Sequence, residues 1–243
     1  MLAQNNENPL RGVTAFNDDI VVNRGYRYTT NASLSSLLAN RRLTDAALAA
    51  VDLRGKKVID IGCGDGAYTF ELFDRGAPAS MQGVDLAGDA VKVARDNCRG
   101  RPIDFRIESA DRLSFAANTF DIAHVRGVLH HMDVPRRVLS EALRVAPTVI
   151  VLEPNGYNPA LKVLEWFSPY HRQHRERSYT SVTLDRWIGT LGARVRSRSF
   201  VGLVPFFCPD PAARILKRVE PYIEKIPFLR TVGCAVYVVV YTR

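Results

Sequence analysis

Three glycines at alternate positions, Gly62, Gly64 and Gly66, follow an apolar run that ends at Ile61. Glycine has no Cβ, so a backbone built from it can turn sharply and lie against a ligand. A helical pattern follows, and the first turn of a helix presents unpaired N–H groups to an anion. Asp85 ends the next apolar run, about 20 residues later, where nucleotide-binding α/β folds place the carboxylate that holds ribose hydroxyls. The spacing therefore predicts a site for a ligand that contains a ribose.

The glycine spacing also distinguishes between such ligands. A dinucleotide fingerprint has the form G-x-G-x-x-G, and here the third glycine comes one position early. Asp60, two residues before the first glycine, suits a ligand with an amino group better than one with a pyrophosphate. Residues 56–153 resemble the class I S-adenosylmethionine-dependent methyltransferases, whose first motif has the form acid-x-G-x-G-x-G. The resemblance implies S-adenosylmethionine as the cofactor and methyl transfer as the reaction.

The same resemblance implies roles for individual residues. It places Asp60 near the cofactor's ammonium group, Asp85 at both ribose hydroxyls and Asp111 at the adenine amino group. Leu86 is expected to pack on the adenine, and Arg126 to line the pocket near the reactive methyl group. One residue of an N-terminal lid, three of the glycine loop and one beside Asp111 complete the predicted set: Tyr28, Gly62, Cys63, Gly64 and Ala110.

A pair of histidines follows the fourth predicted strand, in the sequence Leu129-His130-His131. Open α/β sheets bind ligands at the carboxyl ends of their strands, so this turn shares an edge with the glycine loop. A general base assists methyl transfer to a hydroxyl, and histidine is the usual base near neutral pH. By resemblance, His130 is the candidate catalytic residue, as a base or an acceptor-orienting group, with a structural role as the alternative. His131 and His124 are expected to be packing residues.

These residues require strands that alternate with helices to position them. Strands joined by single helices pair in parallel through right-handed crossovers. The predicted fold class is α/β: a doubly wound, seven-stranded, mostly parallel sheet with an antiparallel C-terminal strand, the Rossmann-like methyltransferase fold. The predicted strands are 57–61, 80–85, 103–108, 120–126, 148–153, 193–201 and 232–241. Apolar residues recur at helical spacing over 31–51. Further helices are predicted at 67–75, 87–98, 134–145, 184–191 and 212–219.

Two segments in the last third of the chain allow several functions. Residues 170–179 contain three arginines and two histidines, which predicts either a clamp for a phosphate or carboxylate of the acceptor or a solvated basic helix face. Residues 205–231 combine phenylalanines with basic residues, which predicts a cap over an apolar acceptor, a peripheral contact with an anionic membrane, or packing against the sheet. The plainer structural interpretation is favoured for both.

The composition is that of a globular chain, with 243 residues and a formal net charge of +8 that favours anionic partners. The four cysteines are far apart, so we expect no structural zinc or other metal site and reduced thiols in a cytoplasmic protein. Neither a signal-peptide pattern nor an apolar run of membrane-spanning length is present, so we expect no transmembrane segment. We expect one methyltransferase domain over 1–243, with an N-terminal arm and helix (1–51), a cofactor-binding core (52–153) and acceptor-side segments with C-terminal strands (154–243).

The leading hypothesis is methyl transfer to a small-molecule acceptor at oxygen, with nitrogen and carbon open; neither the acceptor nor the oligomeric state is indicated. The basic charge also allows an RNA or DNA methyltransferase, but the sequence has no Asn/Asp-Pro-Pro-aromatic motif and no appended nucleic-acid module. An NAD(P)-dependent oxidoreductase is a third hypothesis, disfavoured by the glycine spacing and by the lack of a Tyr-x-x-x-Lys pair. A cofactor-binding regulator without catalysis is the fourth.

Overall fold

The computed structural model describes residues 20, 25–168 and 177–243 of the chain. The strands in these ranges are β1 (Lys57–Ile61), β2 (Ser80–Asp85), β3 (Ile103–Ile107), β4 (Ile122–Arg126), β5 (Thr148–Pro154), β6 (Arg194–Val201) and β7 (Val236–Thr242). They form one sheet with the order β3-β2-β1-β4-β5-β7-β6. Strands β3, β2, β1, β4 and β5 are parallel, and β7 is antiparallel to both of its neighbours. The predicted fold class is confirmed.

Helices connect these strands and cover both faces of the sheet. They are α1 (Arg27–Thr30), α2 (Leu34–Ala50), α3 (Ala67–Gly76), α4 (Gly88–Asn97), α5 (Pro135–Val145), α6 (Pro159–Phe167), α7 (Ser181–Thr190), α8 (Asp210–Ile223) and α9 (Pro227–Gly233), with a short 3₁₀ turn at Leu129–His131. Side-chain caps start several of them: the oxygens of Ser33, Asn158 and Thr180 accept backbone N–H bonds from the first turns of α2, α6 and α7. Every helix in the described ranges is too short or too polar to traverse a lipid bilayer.

The central strands are apolar on both faces because each face has its own core. Ile59, Val125 and Val151 belong to the core beneath α5 and α7, while Val58 and Ile150 belong to the core beneath α2 and α3. This burial on both sides is the usual condition of a parallel sheet covered by crossover helices.

The topology gathers several chain segments at one edge of the sheet. The ends of β1, β2, β4 and β5 share this carboxyl edge because the strands are parallel. Because β7 runs the other way, its first residue, Val236, pairs with Pro154 at the end of β5. The end of β6 lies there too, since Val201 also pairs with Val236. The end of β3 lies there as well, since β3 is parallel to β2. The carboxyl edge therefore receives the loops that follow six strands and the segment that leads into β7.

The prediction of a strand over 232–241 is wrong at its beginning. Residues up to Gly233 belong to α9, and β7 starts only at Val236. Pro227 occupies the first turn of α9, where its missing N–H costs nothing. The helix that begins at Pro227 includes Thr231 and Val232 despite their β-propensity. The short apolar run alone does not indicate this helix. The helices α6 and α9 were not among the predicted elements.

Candidate active site

The glycine loop, residues 62–66, connects β1 to α3 at the carboxyl edge. The N–H groups of Gly62 and Cys63 both donate to the carbonyl of Val84 at the end of β2, at 2.8 and 3.0 Å. Gly62 has φ of 77°, which disfavours any side chain. A Cβ there would lie 2.3 Å from Cγ2 of Val128. The loop is therefore held closely between β2 and the turn after β4, and glycine is required at its first position.

Asp85 ties the end of β2 to the same loop. Its Oδ2 accepts from Gly64 N at 2.9 Å, and its Oδ1 accepts from Ala87 N at 2.8 Å. Each carboxylate oxygen has a second lone pair, so Asp85 can still accept two hydroxyl donors. Burial raises the pKa of Asp85 above its ordinary value, although the two backbone N–H donors oppose this effect. The carboxylate is thus fixed in position before any ligand arrives.

Exposed apolar side chains next to Asp85 offer a surface on which a planar base can pack. Leu86 is 46% exposed and Ile107, on the neighbouring strand, is 54% exposed. Asp111 lies in the turn after β3, where its Oδ1 accepts from Ser109 Oγ at 2.6 Å. Beside it, Ala110 packs against the core. A bare loop, an acid for the ribose, an apolar surface and a second acid fit the parts of an adenosyl cofactor.

Asp60 is buried beneath the glycine loop and holds three elements together. Its Oδ2 accepts from Thr69 Oγ1 on α3 at 2.5 Å, and its Oδ1 lies 2.7 Å from Nδ1 of His124 on β4. Both carboxylate oxygens therefore already have protein partners. The role of Asp60 at the cofactor's ammonium group stays a prediction, and its contacts here are with the protein.

Arg126, at the end of β4, is a half-buried cation whose hydrogen bonds go to neutral oxygens. Its two terminal nitrogens donate to Thr44 Oγ1 at 3.2 Å and Asn40 Oδ1 at 3.1 Å. Its guanidinium carbon lies 3.7 Å from the ring centroid of Tyr68, a cation–π contact. Burial lowers the pKa of Arg126, but an arginine remains charged. A charge held in this way suits an anionic ligand group at the carboxyl edge.

His130 is held by Glu153, which was not among the predicted site residues. Nδ1 of His130 lies 2.8 Å from Oε2 of Glu153. The same carboxylate accepts from the backbone N–H groups of Val128, Leu129 and His130 at 2.8, 2.7 and 3.3 Å. Because a carboxylate only accepts, Nδ1 carries the proton and Nε2 becomes the basic nitrogen of the ring. The sequence feature that could have indicated Glu153 is its position as an acid at the end of the apolar strand β5, whose end lies at the carboxyl edge.

The chain returns to His130 after α6. Arg177 N donates to the carbonyl of His130 at 3.2 Å, and Gly156 N donates to the carbonyl of Tyr179 at 3.0 Å. Burial raises the pKa of the Tyr179 hydroxyl. Of the basic segment predicted at 170–179, residues 170–176 lie outside the described part of the chain. The exposed Arg177 is thus brought close to the candidate catalytic histidine.

A short N-terminal segment packs on the glycine loop. Asp65 Oδ2 accepts from Tyr26 N at 3.0 Å and from the hydroxyl of Thr29. The ring of Tyr26 fills the space beside Gly64, where a Cβ would lie 2.6 Å from its Cε2. Tyr28 belongs to α1, but its side chain lies outside the described residues. The contact of α1 with Asp65 was not predicted, because nothing in the local sequence indicates which segment packs on the loop.

Residues 59–157 match the family model described as "Methyltransferase domain". The fold matches magnesium protoporphyrin IX methyltransferase of Synechocystis, solved with bound S-adenosylhomocysteine, with a TM-score of 0.68 at 15% identity over 95% of this chain and 99% of that one. Residues 59–157 thus form a methyltransferase domain by this match, and the fold around them is the one seen in class I S-adenosylmethionine-dependent methyltransferases. The same fold also occurs in the [4+2]-cyclase SpnF, with a TM-score of 0.63 at 18% identity over 96% of this chain and 93% of that one.

Curated relatives match this methyltransferase domain over part of their length. Phthiotriol/phenolphthiotriol dimycocerosates methyltransferase of Mycobacterium tuberculosis is 34% identical over 109 residues, which cover 45% of this chain and 38% of that protein. Ubiquinone biosynthesis O-methyltransferase of Thiobacillus denitrificans is 33% identical over 108 residues, 43% of each chain. The chain thus spans less than half of the length of these relatives.

Among the described residues, no three His, Cys, Asp or Glu side chains are grouped so that they could hold a metal ion.

Proposed function

We propose that this chain transfers a methyl group from S-adenosylmethionine to an oxygen atom of a small-molecule acceptor. The observation that carries the proposal is the contact between Glu153 and His130 at the edge where the glycine loop lies. It supplies an oriented base beside a site that fits an adenosyl cofactor. The match to an O-methyltransferase of ubiquinone biosynthesis supports oxygen as the accepting atom. We extend the proposal to a single methyltransferase domain over residues 1–243.

The cofactor-binding role is proposed for the residues at the ends of β1, β2 and β3. Gly62, Cys63 and Gly64 hold the methionine part against their bare backbone, Asp85 accepts the ribose hydroxyls, and Leu86 packs on the adenine. When bound, the cofactor supplies an electrophilic methyl group. Asp111 receives the adenine amino group beside Ala110, and Arg126 faces the cofactor's methionine end; Asp60 and Tyr28 complete the proposed set.

His130 takes the proton of the acceptor hydroxyl in this proposal. Glu153 keeps the imidazole proton on Nδ1, so Nε2 is the nitrogen that receives the hydroxyl proton. The same carboxylate also holds the three backbone N–H groups of the turn, so the ring position is fixed by the fold. Alignment of acceptor and methyl group supplies much of the remaining rate enhancement.

The acceptor is proposed to carry an anionic group. Arg177 is exposed and adjacent to His130 through a backbone hydrogen bond. A guanidinium binds a carboxylate or phosphate through two parallel hydrogen bonds. Arg177→Gln should raise the KM for such an acceptor while leaving cofactor affinity unchanged.

The direct test of the activity is incubation of the full chain with methyl-labelled S-adenosylmethionine and fractionated small metabolites. We expect label in an acidic acceptor, together with S-adenosylhomocysteine. His130→Ala should lower kcat by about 100-fold, the scale of a lost general base, with unchanged cofactor affinity. His131→Phe is the matched control, because it keeps a ring against His130 at the present centroid distance of 3.9 Å. Equal loss in both variants, or none in His130→Ala, would contradict the assignment.

Glu153→Gln tests how the base is positioned. The amide can still accept backbone N–H bonds through its oxygen, but it also offers an N–H to the ring and removes the preference for a proton on Nδ1. We expect kcat to fall at least tenfold with little change in KM. The nitrogen chemical shifts of His130 should show a changed tautomer. An unchanged tautomer together with normal kcat would show that Glu153 does not position His130 for catalysis.

A further inference from the structure

Two segments outside the cofactor-binding core emerge from the carboxyl edge and contact each other. One is α6, which follows β5; the other is the α8–α9 insert, which lies between β6 and β7. Asn155 Nδ2 donates to the carbonyls of Thr231 and Cys234 at 2.7 and 2.9 Å, and Asn158 Nδ2 donates to the carbonyl of Gly233 at 3.2 Å. Both segments therefore lie at the same edge as His130.

The α8–α9 insert exposes large apolar side chains in a regular pattern. Ile215, Val219 and Tyr222 are spaced by four and three residues, so they share one face of α8. They are 62%, 39% and 69% exposed. Ile226, just before α9, and Phe228, in α9, are 47% and 72% exposed. We call these five residues the apolar stripe. Scattered single residues of this kind are ordinary on protein surfaces, but three on one face of α8 with two more in the segment that follows are typical of an interaction surface.

A second group of exposed apolar residues lies on α6. Trp166 is 80% exposed and Phe167 is 73% exposed, and their ring centroids are 6.3 Å apart. Helix α6 contributes no fully buried residue, although its hydrophobic content is high. Burial against the rest of the described chain therefore does not explain why α6 carries a tryptophan and a phenylalanine.

The charge next to the apolar stripe is positive. Arg214 and Arg218 are exposed and lie one turn apart on α8, and Lys225 is exposed just after it. The acids of the helix are used elsewhere: Glu220 bonds Lys217, and Glu224 accepts two hydrogen bonds from Arg42. Asp210, in the first turn of α8, is an exposed acid at the far end of the helix. The stripe is thus bordered by cations that are available to an anionic partner.

We propose that the apolar stripe, with Arg214, Arg218 and Lys225 and with the exposed rings of Trp166 and Phe167 on α6, binds peripherally to the surface of an anionic phospholipid bilayer. Apolar and aromatic side chains of a helix that lies in the interface enter the headgroup region, while basic side chains bind lipid phosphates. A symmetric contact with a second copy of the chain would bring the like charges of both stripes together. Binding in this orientation turns the carboxyl edge, and with it His130, toward the lipid surface.

Sedimentation of the full chain with lipid vesicles tests this proposal. We expect at least tenfold tighter binding to vesicles with about 30% phosphatidylglycerol than to pure phosphatidylcholine, and weaker binding when the salt is raised from about 0.1 M to about 0.5 M. With Trp187→Phe as background, Trp166 is the remaining tryptophan of the two in the chain, and its emission should shift to the blue on anionic vesicles. Absence of binding to anionic vesicles would overturn the proposal.

Matched variants separate this surface from the overall charge. The triple change Arg214→Gln, Arg218→Gln and Lys225→Gln should abolish most of the binding, and Tyr222→Ser with Phe228→Ser should do the same at unchanged charge. The control triple changes Arg54, Lys56 and Arg243 to Gln; these exposed cations lie at the opposite edge, before β1 and after β7.

Equal loss of vesicle binding in both triples would overturn the proposal, and so would a dimer through this face that shows no vesicle binding. All of these variants should bind S-adenosylhomocysteine normally, so the result is independent of the methyltransferase assignment.

Discussion

Gly62 and Gly55 have similar left-handed backbones, with φ of 77° and 67°, but different surroundings. A Cβ at Gly62 would lie 2.3 Å from Val128, whereas a Cβ at Gly55 would have no neighbour within 4 Å. Backbone strain is therefore common to both positions, whereas close packing against a neighbouring side chain occurs only at Gly62. Close packing, and not only the turn, therefore requires glycine at the first position of the loop.

Gly62→Ala should therefore weaken S-adenosylhomocysteine binding by at least tenfold, because the loop must move away from Val128. Gly55→Ala should cost only the left-handed strain of about 1–2 kcal/mol in the free energy of unfolding, with unchanged ligand affinity. Calorimetric titration and chemical denaturation measure the two effects. Similar ligand affinities in the two variants would mean that the glycine loop does not contact the cofactor.

The raised pKa of Asp85 predicts that the stability of the fold and the affinity for the ligand depend on pH in opposite directions. Because its pKa is raised in the folded state, its contribution to stability is complete below the ordinary aspartate pKa and is lost as the pH rises through the raised value. Binding has the opposite sign, since only the carboxylate can accept both ribose hydroxyls. S-adenosylhomocysteine affinity should fall on acidification, beginning above the pH at which an ordinary aspartate titrates.

Titrations between about pH 4 and pH 8 test this, with Asp85→Asn as the control. The variant should bind more weakly, with a flatter pH dependence. Wild-type affinity that stays constant over this range would contradict the role of Asp85.

At the scale of the elements, the sequence predicts the repeating strand–helix part of the fold well. Strands β1, β2 and β5 and helices α3, α4 and α5 lie within one or two residues of their predicted bounds, because each has an apolar pattern of its own. The short helices α6 and α9 were missed, since caps and prolines define them more than apolar periodicity does. The charge pattern of α8 was noted, but not that its apolar face stays exposed.

One part of the candidate site could likewise be predicted from the sequence, and another part could not. The glycine loop and Asp85 follow consecutive strands, so the sequence alone brings them to one edge. The contact between His130 and Glu153 depends on the pairing of β4 with β5, and sequence spacing does not give that pairing directly. The contact between Tyr26 and Asp65 depends on how a separate N-terminal segment packs on the loop.

Helix α1 provides a prediction at this scale. Asp65 accepts hydrogen bonds from Tyr26 N, from Thr29 Oγ1 and, through Oδ1, from Ala67 N. Asp65→Ala removes all three, so α1 should separate from the glycine loop. Hydrogen exchange should accelerate over residues 25–30, and S-adenosylhomocysteine affinity should fall several-fold. Unchanged exchange in α1 would show that Asp65 does not hold this segment, whatever happens to affinity.

At the scale of the whole molecule, ligand binding and stability are coupled through the carboxyl edge. The proposed cofactor contacts reach the ends of β1, β2, β3 and β4, so a bound ligand links elements that must separate on unfolding. At a concentration of about 100 times Kd, a ligand adds about 2.7 kcal/mol to the free energy of unfolding. For a domain of this size, we expect a rise in Tm of about 5–10 °C with S-adenosylhomocysteine and none with NAD⁺.

Isothermal titration of the pure chain tests whether the glycine loop and Asp85 form an S-adenosylmethionine site. We expect one site per chain for both S-adenosylmethionine and S-adenosylhomocysteine, with heat lost in Asp85→Ala and retained in His130→Ala. Titrations of correctly folded wild-type protein that show no binding of either compound would contradict this expectation.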